Sequence, residues 1–406
     1  MRRSFTFIAA LLTASCGQPE LSAPSSDDLQ ALHDRLVIID SHMDIRADFA
    51  TETLDPGGLT DTQFDLPQMR AGGVDGGFFV VYVPQGPLTQ DGYAEAHSAA
   101  EAKYEAIARM ARAYPDQIAL AVNADDVAAI LDSDRLVALM GMENAYALGP
   151  DIGALATWRD RGLSYVSLTH FGHNQFGGSS DPVASFGDTE IDRGLTDLGR
   201  ELIAALNDFG IIVDVSHAGR TTMMETVALS RAPVIASHSG AFGVNEHPRN
   251  LDDEQLRAIR DNGGVVQIMA FRSYLRTPSP EQAAERTELR ERFGVHTSRD
   301  FGNLTEEDRT EYLRESYAIR DRYPDVTVSD LVDHIDHAVA VAGIDHVGIS
   351  SDFGGGGGVL GWDDASEAIS VTHELHARGY NEEDMAKLWG GNLLRVMRTV
   401  EAAAIR

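Results

Sequence analysis

Seven side chains able to bind a metal recur at the ends of short apolar runs in this chain. His42 and Asp44 follow Leu36-Val-Ile-Ile, Glu143 follows Met140-Gly-Met, and Asp352 follows Gly348-Ile-Ser-Ser. His170, His217 and His238 close Ser167-Leu-Thr-His, Asp214-Val-Ser-His and Ala236-Ser-His. In an extended chain residues i and i+2 share a face, so His42 and Asp44 can reach one ion together. Taken singly, a strand-end Asp is an ordinary helix cap and a strand-end His an ordinary satisfied polar group. Six strands ending this way together point to a metal site. Imidazole plus carboxylate, with no thiolate, suits Zn²⁺ or a similar transition ion. Three histidines and two carboxylates exceed what one catalytic ion needs, and a two-ion site sharing one carboxylate accounts for all five. Two ions about 3.5 Å apart can hold a bridging hydroxide and polarise a substrate carbonyl together.

Such a site needs a scaffold that brings these strand ends to one face. Candidate strands are Leu36–Ile39, Gly77–Val83, Leu136–Met142, Tyr165–Thr169, Ile211–Val215, Val234–Ser237, Val265–Met269 and Val347–Ser350. Helical patterns between them cover Tyr93–Tyr114, Ala124–Leu131, Thr196–Phe209, Arg220–Ser230, Asp252–Asp261 and Val328–Ala342. Gly210, Gly263 and Gly343 stand where a helix must stop. Continuous rather than alternating apolar strands imply a parallel sheet buried on both faces. The pattern fits an α/β fold, a (β/α)₈ TIM-type barrel with its metal site at the C-terminal ends of the strands. No Gly-x-Gly-x-x-Gly directly follows a strand, which removes a dinucleotide-binding reading. Phe271 to Pro324 is too long for one crossover and predicts helices outside the barrel or a lid over its mouth. Asp364–Arg378 and Glu382–Val400 read as closing helices.

The 406 residues carry a formal charge of -30, which argues against nucleic acid and against an electrostatic hold on anionic lipid. Met1-Arg2-Arg3 is basic, Phe5 to Leu12 is apolar, and small residues precede Cys16, the only cysteine. That order is a secretory signal, and the placement of Cys16 resembles a bacterial lipoprotein signal whose cysteine is lipidated. The expectation is an exported lipoprotein facing the periplasm or cell exterior, touching the membrane only through that N-terminal anchor. Residues 1–16 are then the signal, 17–30 a flexible tether, and 31–406 a single barrel domain.

At this point a family resemblance emerges. Ile39-Asp-Ser-His-Met-Asp44, Phe64-Asp-Leu-Pro-Gln-Met-Arg-Ala-Gly-Gly-Val74, Met142-Glu143, Leu168-Thr-His170 and Asp214-Val-Ser-His217 are matched in order. Ser237-His-Ser239, Pro248-Arg-Asn250, Ser351-Asp-Phe353 and Gly390-Gly-Asn-Leu-Leu-Arg-Val396 complete the series, from about residue 33 to about 400. The chain resembles the membrane dipeptidase (renal dipeptidase) family of zinc peptidases, relatives of the amidohydrolases. The resemblance implies two Zn²⁺ per chain, one on His42 and Asp44, the other on His217 and His238, with Glu143 between them. It implies that His170 contacts the scissile carbonyl, that Arg249 binds the dipeptide's terminal carboxylate, and that Asp352 holds the hydroxide and shuttles its proton to the leaving amine. On residue type alone, His170 can equally be a third ligand, Asp352 a ligand, and Arg249 a solvated loop residue.

Two departures from the family pattern lie beside the site: Asn144 replaces a glycine, and Gly354–Gly358 replace a second Asp after Phe353. Lys103 and Lys387 are the only lysines and neither ends a strand, so a carbamylated-lysine bridge is excluded and Glu143 gains in that role. No Gly-x-Ser-x-Gly elbow supports serine catalysis. His173 and Asn174 read as ordinary loop residues, His373 and His376 as surface, and Asp214 and Ser216 as structural. The expected activity is hydrolysis of L-L and potentially L-D dipeptides, and a homodimer is compatible with it. The rivals are another metal-dependent amidohydrolase, acting on N-acyl amino acids, lactones or cyclic amides, and a non-catalytic peptide-binding lipoprotein.

Overall fold

The computed structural model describes residues 26–296 and 298–405. Its strands are β1 (Ile39–Asp44), β2 (Gly76–Tyr82), β3 (Ile118–Leu120), β4 (Leu136–Glu143), β5 (Leu163–Ser167), β6 (Ile212–Asp214), β7 (Ile235–Ala241), β8 (Asn250–Leu251), β9 (Val265–Met269) and β10 (Val347–Ser350). The main path is β1-β2-β4-β5-β6-β7-β9-β10, with β3 added to the start of β4 and β8 to the end of β7. Every pairing in it is parallel. The ring comes together between β1 and the end of β10, where Met43 bridges Phe353 and the Asp44 amide donates to Phe353 O at 2.7 Å. Asp40 Oδ1 accepts the Ser351 amide across the same seam. The result is a near-closed, eight-stranded α/β barrel.

The strands read as continuous apolar runs because both faces are buried. On β2, Phe78 and Val80 pack into one core cluster, while Phe79 and Val81 pack into the other. The cluster that holds Phe78 and Val80 is joined by Leu393, Val396 and Met397 of helix Asn392–Ala402. Helix Val328–Ala342 has its expected bounds, and helix Asp197–Phe209 starts on its Thr196 cap and stops at Gly210, whose φ of 68° only glycine adopts without strain.

Several expectations need correction. The first strand begins at Ile39, not Leu36: the Leu36 amide is still in a turn on His33 O and the Ile38 amide is taken by the Asp75 side chain. His42 and Asp44 therefore lie inside the strand. β3 and β8 are too short to leave a periodic pattern. The tether ends before residue 30, because Ser26–His33 is a helix. His33 is buried there, bonded to Thr372 Oγ1 and Gly72 O, both at 2.8 Å. Phe271 to Pro324 holds helices Arg272–Leu275, Pro280–Phe293, Ser298–Asn303 and Glu306–Arg320. The last closing helix is broken into Glu382–Ala386, a π turn and Asn392–Ala402. His373 and His376 are half-buried on helix Ile369–Ala377 rather than on the surface. Residues 1–16 with Cys16 lie outside the described residues. Among the described residues no helix is long and apolar enough to cross a membrane.

Candidate metal centre

The backbone is irregular where it presents the candidate ligands. Between β1 and β2 the register runs Asp40↔Gly77 and then Met43↔Phe79, so Ser41 and His42 sit in a bulge. Between β7 and β9 it runs Ala236↔Val266 and then Ser239↔Ile268, so Ser237 and His238 do the same. Bulges re-aim side chains next to sites. Just past the ends of β4, β6 and β10, Asn144, His217 and Asp352 take φ of 72°, 63° and 58°, a left-handed conformation costly for non-glycine residues. Asn144 uses the position that the family pattern gives to glycine. Its side chain also bonds Val83 O and Asn174, contacts glycine could not make.

Glu143 lies at the middle of the cluster. Its Oε2 is 3.5 Å from His42 Nε2, while its Oε1 is 3.0 Å from His217 Nε2 and 3.2 Å from His238 Nε2. His42 Nε2 is also 3.6 Å from Asp44 Oδ2. His170 stands at the edge, its Nε2 3.9 Å from Glu143 Oε1 and its ring 4.2 Å from that of His217. Asp352 joins His42 and Asp44 in a group whose candidate ligand atoms all lie within 4.8 Å of one another. His42 with Glu143 and His238, and Glu143 with His170 and His217, make two further such groups. His42 Nε2 and Asp44 Oδ1 are buried without a hydrogen-bond partner. Orphaned donor atoms converging from His and carboxylate fit a transition metal well. All seven predicted candidates thus meet in one place.

Two relays orient the histidines. Tyr165 OH lies 3.0 Å from His42 Nδ1 and donates to Ser41 O at 3.2 Å, so His42 keeps its proton on Nδ1 and turns Nε2 inward toward the carboxylates. Ser237 Oγ donates to Asp214 Oδ2 at 2.6 Å and lies 2.8 Å from His238 Nδ1, fixing His238 likewise. Strand alternation turned Asp214 away from His217, as expected, and it turned Asp214 toward the neighbouring strand's histidine. Tyr165, Ser237 and Lys103 carried no signal in isolation. Lys103 reaches the rim, with Nζ donating to Ile45 O and 5.9 Å from the Tyr82 ring centroid.

Burial pushes His217 down well below the usual imidazole range, helped by Arg249 and His170, and pushes His238 down likewise, helped by His42. Neutral imidazole is the metal-binding form. At His42 burial acts the same way, but the Glu143 and Asp44 carboxylates outweigh it and hold the imidazole well above its usual range. Burial works against a charged Glu143, but His42, His170, His217 and His238 outweigh it and hold the carboxylate well below its ordinary value. Asp352 is driven well above its ordinary value by burial, with Asp44 and Glu143 adding to it against the pull of His42.

Arg249 is not a solvated loop residue. It is 2% exposed, its Nη2 donates to His238 O at 2.9 Å, and its buried Nε has no partner. The guanidinium lies 5.7 Å from the Tyr274 ring centroid. The glycine run Gly354–Gly358 wraps onto the carboxylates. A Cβ on Gly355 would come 2.3 Å from Asp44 Oδ2 and 2.5 Å from Asp352 Oδ1. The amides of Gly355 and Gly357 fold back onto Asp352 O. His173 and Asn174 make ordinary loop hydrogen bonds, as expected.

The fold and the site have counterparts. The crystal structure of the probable dipeptidase PvdM from Pseudomonas aeruginosa superposes with a TM-score of 0.83 at 35% identity, over 93% of this chain and 98% of that one. A metallo peptidase from Rhodobacter sphaeroides, solved with a phosphinate mimic of the dipeptide L-Ala-D-Ala, gives a TM-score of 0.68 at 26% identity over 90% of this chain and 99% of its own. Dipeptidase ataJ of Aspergillus terreus (strain NIH 2624 / FGSC A1156) is 30% identical over 405 residues, 93% of this chain and 88% of that protein. The sequence pattern described as membrane dipeptidase, peptidase family M19, matches residues 26–406, and the chain belongs to that family of metallo-dipeptidases.

Proposed function

We propose that this dipeptidase is a binuclear zinc enzyme. The observation that carries the reading is the division of the Glu143 carboxylate, with Oε2 3.5 Å from His42 Nε2 and Oε1 3.0 Å from His217 Nε2. His42 and Asp44 would hold one ion, His217 and His238 the other, and Glu143 would span both. Zinc held there would polarise a carbonyl and bring the pKa of water to about 7.

The remaining tasks fall to side chains. Arg249 takes the substrate's terminal carboxylate on its planar fork, where burial strengthens the pair. A free carboxylate one residue past the bond is then required, so longer peptides are excluded at that end. His170 touches the scissile carbonyl oxygen and stabilises the charge that grows on it. Asp352 takes a proton from the attacking water and hands it to the departing amine, as general base and then acid. The dipeptide mimic bound by the Rhodobacter sphaeroides relative supports dipeptides, including those ending in a D-residue, as the substrate class.

A panel of L-L and L-D dipeptides and N-acyl amino acids, assayed with zinc restored, tests the reading. Dipeptide turnover is expected, lost in Asp352→Asn while both metals stay bound. Absence of dipeptide turnover in the zinc-loaded wild type sinks it. The apolar run before Cys16 further supports export and lipid attachment at that cysteine. Metabolic labelling with a fatty-acid analogue, lost in Cys16→Ala, checks this.

A further inference from the structure

We propose a second anion site outside the catalytic centre, where Arg286, with Arg272 and Arg276, takes a small oxyanion of carboxylate or phosphate type. It occupies a cavity of about 370 Å³ between helix Arg272–Leu275 and the start of helix Pro280–Phe293. Three arginines line it against a single acid, Asp325, in a chain whose formal charge is -30. Two of the three are committed. Arg272 pairs with Asp325 and Asp363 at 2.9 and 2.8 Å. Arg276 pairs with Asp330 and donates to the carbonyls of Pro324 and Asp325.

Arg286 differs. It is half-buried, yet among the described residues it has no ion pair and no side-chain hydrogen bond. Burial, then Arg290 and Arg272, pull its guanidinium below the ordinary value, the mark of a cation crowded by others. An anion in the cavity relieves that crowding and fills a fork suited to bidentate oxygens. The 14-residue helix Pro280–Phe293 begins beside it, with its cap Ser279 and Gln282 both on the cavity wall, so the helix dipole has the same sign.

The cavity wall connects to the catalytic centre through the short helix Arg272–Leu275. Tyr274 lies on the same short helix as Arg272, stacks on Phe271 at 4.2 Å, and faces Arg249. Arg272 also donates to Gly358 O at the end of the glycine run. An anion bound among these arginines therefore contacts the element that carries Tyr274.

Titration of the metal-loaded enzyme with inorganic phosphate and, separately, succinate tests the site. The catalytic metals can also take an anion, so the readout is a difference between variants. Wild type and Arg314→Gln, which removes an equal charge at a residue outside the cavity wall, are expected to bind one anion more per chain than Arg286→Gln. Loss of one charge-assisted fork should weaken that event by about tenfold or more. Phosphate alone, or succinate alone, giving the difference identifies the group preferred. Equal binding in wild type and Arg286→Gln overturns the proposal, as does wild type taking up neither probe. Should Arg286→Gln fold poorly, Arg286→Lys keeps the charge without the fork, and unchanged binding there overturns it equally.

Discussion

The Nε2 atoms of His217 and His238 face each other at 2.9 Å. His238 already holds its proton on Nδ1 through Ser237 and Asp214, so its Nε2 is bare. The His217 Nδ1 has no partner, so the His217 proton can sit on Nε2, which faces both His238 Nε2 and Glu143 Oε1, and a metal ion there would take that proton's place. Bound to one tetrahedral zinc at about 2.0–2.1 Å each, the two nitrogens would stand about 3.3 Å apart, somewhat wider than here. The same reasoning places His42 on a different relay, through Tyr165.

The two relays give a separable expectation. Ser237→Ala should loosen one metal and Tyr165→Phe the other, each by about 10- to 100-fold, the usual weight of a group supporting a metal ligand. Chelator competition followed by metal analysis reads each ion. If both variants weaken the same ion, the division of ligands between the two ions is wrong.

The glycine run makes a steric demand. Gly355→Ala would push a methyl into Asp44 Oδ2 and Asp352 Oδ1, so turnover should fall at least about tenfold while the melting temperature moves little. Gly58→Ala, where a Cβ meets nothing within 4 Å, serves as the control and should keep full activity.

The barrel and the convergence of all seven candidate side chains were legible because each follows a short run buried on both faces, a pattern that survives in one dimension. What supports them was not. Ser237 and Tyr165 are unremarkable residues whose role depends on which strand lies next door. Asp214 was read as structural from its own strand, and its partner is on the following one. Arg249 looked like a loop cation because sequence alone does not show that its loop folds inward onto His238 O. The β1 boundary slipped because Leu36 and Ile38 are apolar for the core and unpaired in the sheet. Cavities lined by distant segments, such as that of Arg286, leave no linear trace.

Substrate length should depend on Arg249. Wild type is expected to prefer a dipeptide over its C-terminal amide, since only the former offers a carboxylate. In Arg249→Lys the KM for the dipeptide should rise about 10- to 100-fold as bidentate hydrogen bonding is lost, and the preference over the amide should shrink. A change confined to kcat, with KM and the amide ratio intact, would place the carboxylate elsewhere.

The Arg249 loop should also be acid-sensitive through His247. The Arg249 amide donates to His247 Nδ1 at 3.2 Å, so the imidazole must be neutral at that nitrogen. Burial, and the charge of Arg249, lower its pKa from 6.5 to about 4. In the unfolded chain the group takes up a proton below about 6.5, while the folded chain resists until about 4, so the unfolded state binds more protons in that window. Stability is therefore full above pH 6.5 and falls as the pH drops toward 4, below which this contribution is flat. At full weight the shift would be about 3 kcal/mol, but the ring is partly exposed, and solvent screening leaves on the order of 1 kcal/mol. His247→Asn keeps an acceptor for the amide and removes the titration. Denaturant melts at pH 7, 5.5 and 4.5 should show wild type losing that extra stability relative to the variant. Parallel pH dependence in the two proteins would mean that protonation of His247 does not strain this loop.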